Sequence, residues 1–253
     1  MDSPQVLLIT GGSRGIGAAT ALMAARQGCA VAVNYASHSL AADEVVRRIR
    51  AEGGSAITVQ ADVGDEAQLL ALARRVQALF GGCDILVNCA GVSAKRNGQP
   101  IPPVEVRTAD WQRVLGINLT APFVLSRELI PGMRERRFGR IVNITSRAGR
   151  TFVAPAGIDY AASKAGLIGL TRHLAGTYAG DGITVNCVAP GRVETALSSL
   201  SSPEIIAAAA KAIPMGRLGT TEEIAACVLF LASEQASYVT GVCLDANGGV
   251  FMG

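Results

Sequence analysis

Short apolar runs of strand length alternate along the chain with segments whose apolar positions recur every three to four residues. Strands are predicted at residues 5–10, 30–35, 55–60, 84–88, 139–145, 182–188 and 240–244. Helices are predicted at 15–27, 40–51, 66–80, 158–178 and 221–232, and a longer one starts near Thr108. Glu222 and Glu223 suit the N-terminus of the last of these. Strand–helix alternation with apolar strands predicts an α/β fold. It is a doubly wound (Rossmann) seven-stranded parallel sheet with helices on both faces and right-handed crossovers. No linker, repeat or low-complexity segment interrupts it, so residues 1–253 read as a single domain. Two segments break the rhythm: 95–107, with Pro100, Pro102 and Pro103, and 192–213, with a serine-rich stretch. Both follow strands, at the edge where open α/β sheets bind ligands.

Composition narrows the function. The apolar half of the chain is mostly Ala, Val, Leu and Ile, which suits helices on a parallel sheet. The formal net charge is +3 with no long run of like charge, so no nucleic-acid partner is expected. The densest basic stretch, Arg134-Glu135-Arg136-Arg137, reads as a solvated helix end. No stretch is apolar enough for a membrane span, and no leader pattern precedes the first strand. The six cysteines, Cys29, Cys83, Cys89, Cys187, Cys227 and Cys243, form no C-x-x-C pair. Buried free thiols in the cytoplasm are the expectation, with no metal site.

Chemistry enters at the end of the first strand, in Thr10-Gly11-Gly12-Ser13-Arg14-Gly15-Ile16-Gly17. Glycines 11, 15 and 17 allow a sharp turn and close backbone approach to a ligand, and the following helix offers free N–H groups to a pyrophosphate. Thr20 stands where the usual third glycine of a dinucleotide motif falls. The same residues also fit G-x-S-x-G, the hydrolase nucleophile elbow. An elbow on the first strand lacks a preceding loop to complete an oxyanion hole, and His38 and His173 are poorly placed as bases. A second motif is Tyr160-Ala161-Ala162-Ser163-Lys164. Its i,i+4 spacing puts phenol and ammonium on one helix face. A nearby ammonium favours the phenolate and brings a tyrosine towards acid–base work.

Taken together, Thr10-Gly11-x-x-x-Gly15-x-Gly17, Asn88-Cys89-Ala90-Gly91, Asn118, Ser146, Tyr160-x-x-x-Lys164 and Pro190-Gly191 resemble the short-chain dehydrogenase/reductase family in order and spacing. The closest likeness is to the subgroup of 3-oxoacyl-acyl-carrier-protein reductases and glucose-type dehydrogenases. The resemblance implies a ketone–secondary alcohol oxidoreductase. Ser146 would bind the substrate carbonyl oxygen and Tyr160 would move the proton. Lys164 would lower the tyrosine pKa and hold the nicotinamide ribose, and Asn118 would position a water leading from Lys164 to solvent. It implies cofactor contacts from Gly11, Ser13, Arg14, Gly15, Ile16 and Gly17, from Asp62 and Val63 at the adenine, and from Asn88, Ala90 and Gly91 along the groove. Pro190, Gly191, Val193 and Thr195 would flank the carboxamide and phosphates, although Thr195 equally suits a helix N-cap. A homotetramer built on two long helices and the C-terminal strand is implied too.

The second strand ends Val33-Asn34-Tyr35-Ala36-Ser37-His38, without the carboxylate that selects NAD. Arg14 can reach that place, so NADP(H) is expected over NAD(H), with Asn34 able to accommodate either ribose. Departures from the subgroup also count. The 147–159 segment is one residue longer than usual. Leu174-Ala175-Gly176-Thr177 and Asp181 replace a more basic pattern, which weakens docking of an acidic carrier protein. Lys95, Arg96, Arg147 and Arg150 either gather at the pocket mouth for an anionic substrate or are solvated loop charges. A sugar or polyol dehydrogenase is the main rival reading. A non-catalytic nucleotide sensor is a remote one, since all four catalytic positions are kept.

Overall fold

The computed structural model describes residues 4–194 and 203–253, with the side chains of 203–205 outside the description. Seven parallel strands form the sheet: β1 (Val6–Thr10), β2 (Ala30–Tyr35), β3 (Ala56–Gln60), β4 (Ile85–Asn88), β7 (Gly139–Ile144), β8 (Ile183–Pro190) and β9 (Cys243–Ala246). Their order is β3-β2-β1-β4-β7-β8-β9. Helices α1 (Gly15–Arg26), α2 (Ser39–Ala51) and α8 (Thr221–Ala232) cover one face. Helices α3 (Glu66–Phe80), α5 (Ala121–Arg136) and α6 (Ile158–Tyr178) cover the other. Each face has its own apolar core. Strands such as β1, β7 and β8 are buried at every position, because both faces are covered. The predicted doubly wound sheet is therefore present.

Boundaries follow local chemistry where it is strong. Thr220 accepts from the Glu223 N–H while the Glu223 carboxylate accepts from the Thr220 N–H, a reciprocal cap that starts α8 where its glutamates predict. Four differences from the sequence expectation stand out. The helix expected from Thr108 runs as α4 (Thr108–Leu115), a π-helical turn at Gly116–Thr120, then α5. The last strand starts at Cys243 rather than near residue 240, because the Thr240 hydroxyl occupies the hydrogen-bonding position at Val185 N–H. Segment 95–107 contains a small hairpin, β5 (Lys95–Arg96) with β6 (Gln99–Pro100). The segment from 192 contains helix α7 (Pro203–Lys211).

The basic stretch at the end of α5 is more than a solvated helix end. Arg134 pairs with Asp181, Arg136 with Asp84 and the Cys83 carbonyl, and Arg137 donates to the Gly180 carbonyl. Of the cysteines, Cys29, Cys83 and Cys187 are buried, whereas Cys89, Cys227 and Cys243 are half-buried. No described helix is long and apolar enough to cross a membrane.

Candidate active site

The strand order reverses between β1 and β4, and the crevice at their carboxyl ends is the expected binding position in an open α/β sheet. Thr10, the last residue of β1, accepts hydrogen bonds from the N–H groups of Cys89 and Ala90 at 3.1 Å each, tying the two loops together. A groove of about 520 Å³ starts there. Gly11, Ser13, Arg14, Ile16 and Gly17 line one end of it, and Ser146, Tyr160 and Lys164 line the other. Gly17 is buried in the first turn of α1, where a Cβ would collide with the Gly11 carbonyl oxygen. Only glycine lets this helix N-terminus close on the turn and keep its N–H groups facing the groove.

Asp62, Val63, Ala90, Gly91, Pro190, Gly191 and Val193 also line the groove, as the resemblance implies. Asp62 accepts from the Gly64 N–H at 2.8 Å, which fixes the turn after β3. Two expected contacts are corrected. Asn34 is buried, with its amide donating to the Val59 and Ala61 carbonyls and accepting from the Gly11 N–H. It holds the glycine turn from behind rather than facing a ribose. Asn88 is also buried and donates to Asn143 at 2.8 Å, linking β4 to β7 beneath the groove. Thr195 lies outside the described residues.

Beyond β2, the exposed Arg14 donates to His38 Nε2 at 3.2 Å. The other ring nitrogen, Nδ1, lies 3.0 Å from Ser37 Oγ. His38 is thus occupied by Arg14 and Ser37 rather than serving Ser13, and His173 is exposed on α6. The hydrolase arrangement is not assembled.

At the other end, the π-helical turn carries Asn118 inward, completely buried. Such turns recur at functional sites. Its Oδ1 accepts from the Val92 N–H at 2.9 Å, and its Nδ2 donates to the Val92 carbonyl and to Ser163 Oγ. The Asn118 amide is therefore committed to protein partners and locks the loop after β4 onto α6. A residue that sequence reasoning missed completes the lock. Asp159, 1% exposed, accepts from the Ala94 N–H at 2.8 Å at the start of α6. A carboxylate in the first turn of the helix, directly before Tyr160, was the available signal.

Ser146 caps a short 3-10 turn, accepting from the Ala148 N–H, and its hydroxyl stands beside the Tyr160 phenol. Burial pushes the Tyr160 phenol above its ordinary value, and the Ser146 hydrogen bond only partly opposes this. Lys164 is buried, and burial lowers its ammonium to about 8. Its Nζ donates to the Ile144 carbonyl at 2.7 Å and lies 5.7 Å from the centroid of the Tyr160 ring. The lysine thus meets the face of the ring. Burial, the Ser146 hydrogen bond and Cys89 are what act on the phenol, and the expected lowering by Lys164 is not among them.

Of the four basic residues left open between a pocket-mouth cluster and solvated loop charges, two have partners of their own. Arg96 pairs with Glu105, and Arg150 pairs with Asp245 while donating to the Gly253 carbonyl. A second cavity of about 550 Å³ lies between the start of α8 and the C-terminal segment, lined by none of the catalytic side chains.

A glycine cradle at a helix N-terminus, joined by one groove to a serine, a tyrosine and a lysine, defines a dinucleotide-dependent oxidoreductase acting on ketones and secondary alcohols. The chain belongs to the short-chain dehydrogenase/reductase family. Residues 11–251 match the family described as enoyl-(acyl carrier protein) reductase. The chain is 41% identical to a 3-oxoacyl-[acyl-carrier-protein] reductase of Synechocystis, over 98% of this chain and 97% of that one. It is also 41% identical to 3beta-hydroxysteroid dehydrogenase 1 of Eggerthella lenta, over 97% and 93%. Among solved structures, a 3-oxoacyl-[acyl-carrier protein] reductase of Brucella melitensis with bound NAD superimposes with TM-score 0.90 at 37% identity. The match covers 98% of this chain and 92% of that one.

Proposed function

We propose that the protein uses NADPH to reduce the ketone of a 3-oxoacyl thioester to a secondary alcohol, as one cytoplasmic dinucleotide-binding and catalytic domain within a homotetramer. The observation that carries the reading is the single groove joining the glycine turn to Ser146, Tyr160 and Lys164. The bound nicotinamide supplies the hydride. The protein's part is positional and protonic. Ser146 and Tyr160 offer hydroxyls to one carbonyl oxygen, and Tyr160 gives that oxygen its proton. Burial keeps the phenol protonated, which suits the reductive direction, where the tyrosine begins as the acid. Lys164, fixed by the Ile144 carbonyl, stands at the same end of the groove to meet ribose hydroxyls.

Two further points support the details. Arg14, Ser37 and His38 form a cationic, hydrogen-bonding corner beyond β2 with no carboxylate among them, which fits a ribose 2′-phosphate. The weakening of a basic docking face is supported at Asp181, which faces Arg134 and neutralises it. Free or coenzyme-linked thioesters should therefore react about as well as carrier-linked ones.

The experiment follows cofactor oxidation optically across ketones, 3-oxoacyl thioesters and sugars, in wild type and Tyr160→Phe. Thioesters should be favoured, and the variant should lose at least about a hundredfold in rate with nucleotide affinity little changed. Near-normal turnover by Tyr160→Phe ends the mechanism. Sugars outpacing thioesters end the substrate assignment.

A further inference from the structure

A third cavity, of about 350 Å³, lies beside the groove, between the β5–β6 hairpin and helix α4. Val92 and Arg113 line both spaces, so the two are neighbours across one stretch of loop. That loop is pinned on the catalytic side. Asn118 holds Val92, and Asp159, directly before Tyr160, holds Ala94, which also lines the cavity. The hairpin is fixed as well. It turns at Asn97-Gly98, both with positive φ, as the tight two-residue turn between paired strands requires. Four cations and two acids line the cavity. Arg96 pairs with Glu105, and Arg107 grips Asp110 with hydrogen bonds of 2.7 and 2.9 Å. The Arg107 guanidinium holds the Asp110 carboxyl below its ordinary value, so that pair stays ionised and cancels. Arg113 and Lys95 remain. Both are exposed, and neither makes an ion pair or side-chain hydrogen bond among the described residues. The cavity therefore keeps two uncompensated positive charges, one of them on the wall it shares with the groove.

We propose that this cavity is an anion subsite of the active site, and that the preferred 3-oxoacyl thioester carries a carboxylate at the far end of its acyl chain, gripped by Arg113 and attracted by Lys95. The inference rests on the thioester reading above and names the substrate class within it. A guanidinium without a protein partner offers paired N–H donors that match the two oxygens of a carboxylate. Reach favours the acyl end. The ketone has to stand at Tyr160, and only the loop held by Asp159 and Asn118 separates that position from the cavity, so the anion sits a few bonds from the ketone. The phosphates of a coenzyme A thioester lie beyond the whole pantetheine arm. A plain aliphatic chain end gains little among charged walls that keep their water. Arg113 stays reachable in the assembled protein, because the groove it lines has to admit the dinucleotide.

The test uses the whole protein in its native assembly. It compares kcat/KM with NADPH for two N-acetylcysteamine thioesters that differ at one end: 3-oxohexanedioyl, with a free terminal carboxylate, and its terminal methyl ester. Wild type should favour the acid about fivefold at low salt, and the preference should shrink as salt rises. Arg113→Met should erase the preference by raising KM for the acid, Arg113→Lys should restore part of it, and Lys95→Met should lose part of it. Equal or better use of the ester by wild type overturns the subsite while leaving the thioester reading in place. No turnover of either thioester ends both. An Arg113→Met loss that is equal for acid and ester, with weaker nucleotide binding, assigns the arginine to the cofactor and overturns the proposal. An Arg113-dependent preference for the coenzyme A thioester of an uncharged chain moves the anion to the carrier arm and overturns it too. The acid–ester comparison needs only the wild-type protein, so an unstable variant does not blunt it.

Discussion

Gly149→Ala tests how tightly the turn after Ser146 is registered on α6, the helix that carries Tyr160 and Lys164. Gly149 ends the turn that begins at Ser146 and lies against the middle of α6. A Cβ there would stand 2.7 Å from the Lys164 carbonyl carbon, and 2.9 Å from both the Ala165 nitrogen and the Lys164 oxygen. Ordinary contact begins near 3.4 Å, so turn and helix must part by about 0.7 Å. All three atoms are helix backbone and cannot rotate aside. The Lys164 carbonyl also accepts from Thr145 Oγ1 at 2.9 Å, at the same junction. Residue 149 has no positive φ, so the torsion itself tolerates alanine and the collision is the sole penalty. Overpacking of this kind costs about 1–3 kcal/mol of stability. Misplacement of reacting groups by about 1 Å costs up to about a hundredfold in rate, so kcat should fall roughly tenfold to a hundredfold. Steady-state kinetics, nucleotide titration and thermal unfolding should show lower kcat, little change in nucleotide affinity and a lower Tm. Gly169→Ala, on the same helix with open space at its Cβ, is the control and should be neutral or stabilising. A Gly149→Ala enzyme with kcat within about twofold of wild type refutes the tight registration.

Three further outcomes are expected. Asp159→Ala should lose about 1–3 kcal/mol of stability by orphaning the Ala94 N–H, and should lower kcat more than nucleotide affinity; Asp159→Asn, which keeps an acceptor, should recover most of both, and failure of that rescue would point to the charge instead. Lys164 is lowered to about 8 on folding, so the unfolded chain binds the extra proton between about 8 and its ordinary value, and this group's contribution to stability rises with pH across that window. The Tm advantage of Lys164→Met over wild type should therefore shrink from about pH 8 to about pH 9.5, the lower part of that window, and parallel Tm curves would contradict it. Wild type should favour NADPH over NADH in kcat/KM and Arg14→Ala should lose most of that preference; equal or better use of NADH by wild type would sink the assignment.

Local patterns made the fold legible. Helices α3, α6 and α8 run where periodicity puts them, α8 with its first-turn glutamates, and β2 matches its apolar run residue for residue. Legibility stopped where a partner distant in sequence decides the outcome. The π-helical turn at Asn118 leaves no break in periodicity, and its side chain is spent on Val92 and Ser163, 26 and 45 residues away. The start of β9 depends on Thr240 reaching Val185. Helix α7 is different, since Pro203 followed by the Ala207–Ala210 run is a helix signal that the serine-rich flank obscured.

Spacing alone also misleads about electrostatics, and the active site shows why. The i,i+4 relation correctly places Lys164 and Tyr160 on one face of α6, yet a shared face fixes neither the height of the ammonium nor its solvation. Nζ is drawn to the Ile144 carbonyl, an acceptor that exists only once β7 packs against α6. The same packing strips water from both groups, so burial dominates both and drives both towards neutrality: the phenol upwards, the ammonium downwards to about 8. A neutral phenol is a proton donor. In the mechanism proposed above, that direction suits Tyr160 beginning a reduction, whereas an oxidation would start from the phenolate that burial disfavours. Ser146 works against that penalty, and in the proposed mechanism its hydroxyl also meets the substrate carbonyl. On that mechanism substrate and tyrosine would share one hydroxyl, which would couple occupancy of the pocket to the acidity of the residue proposed to protonate the product.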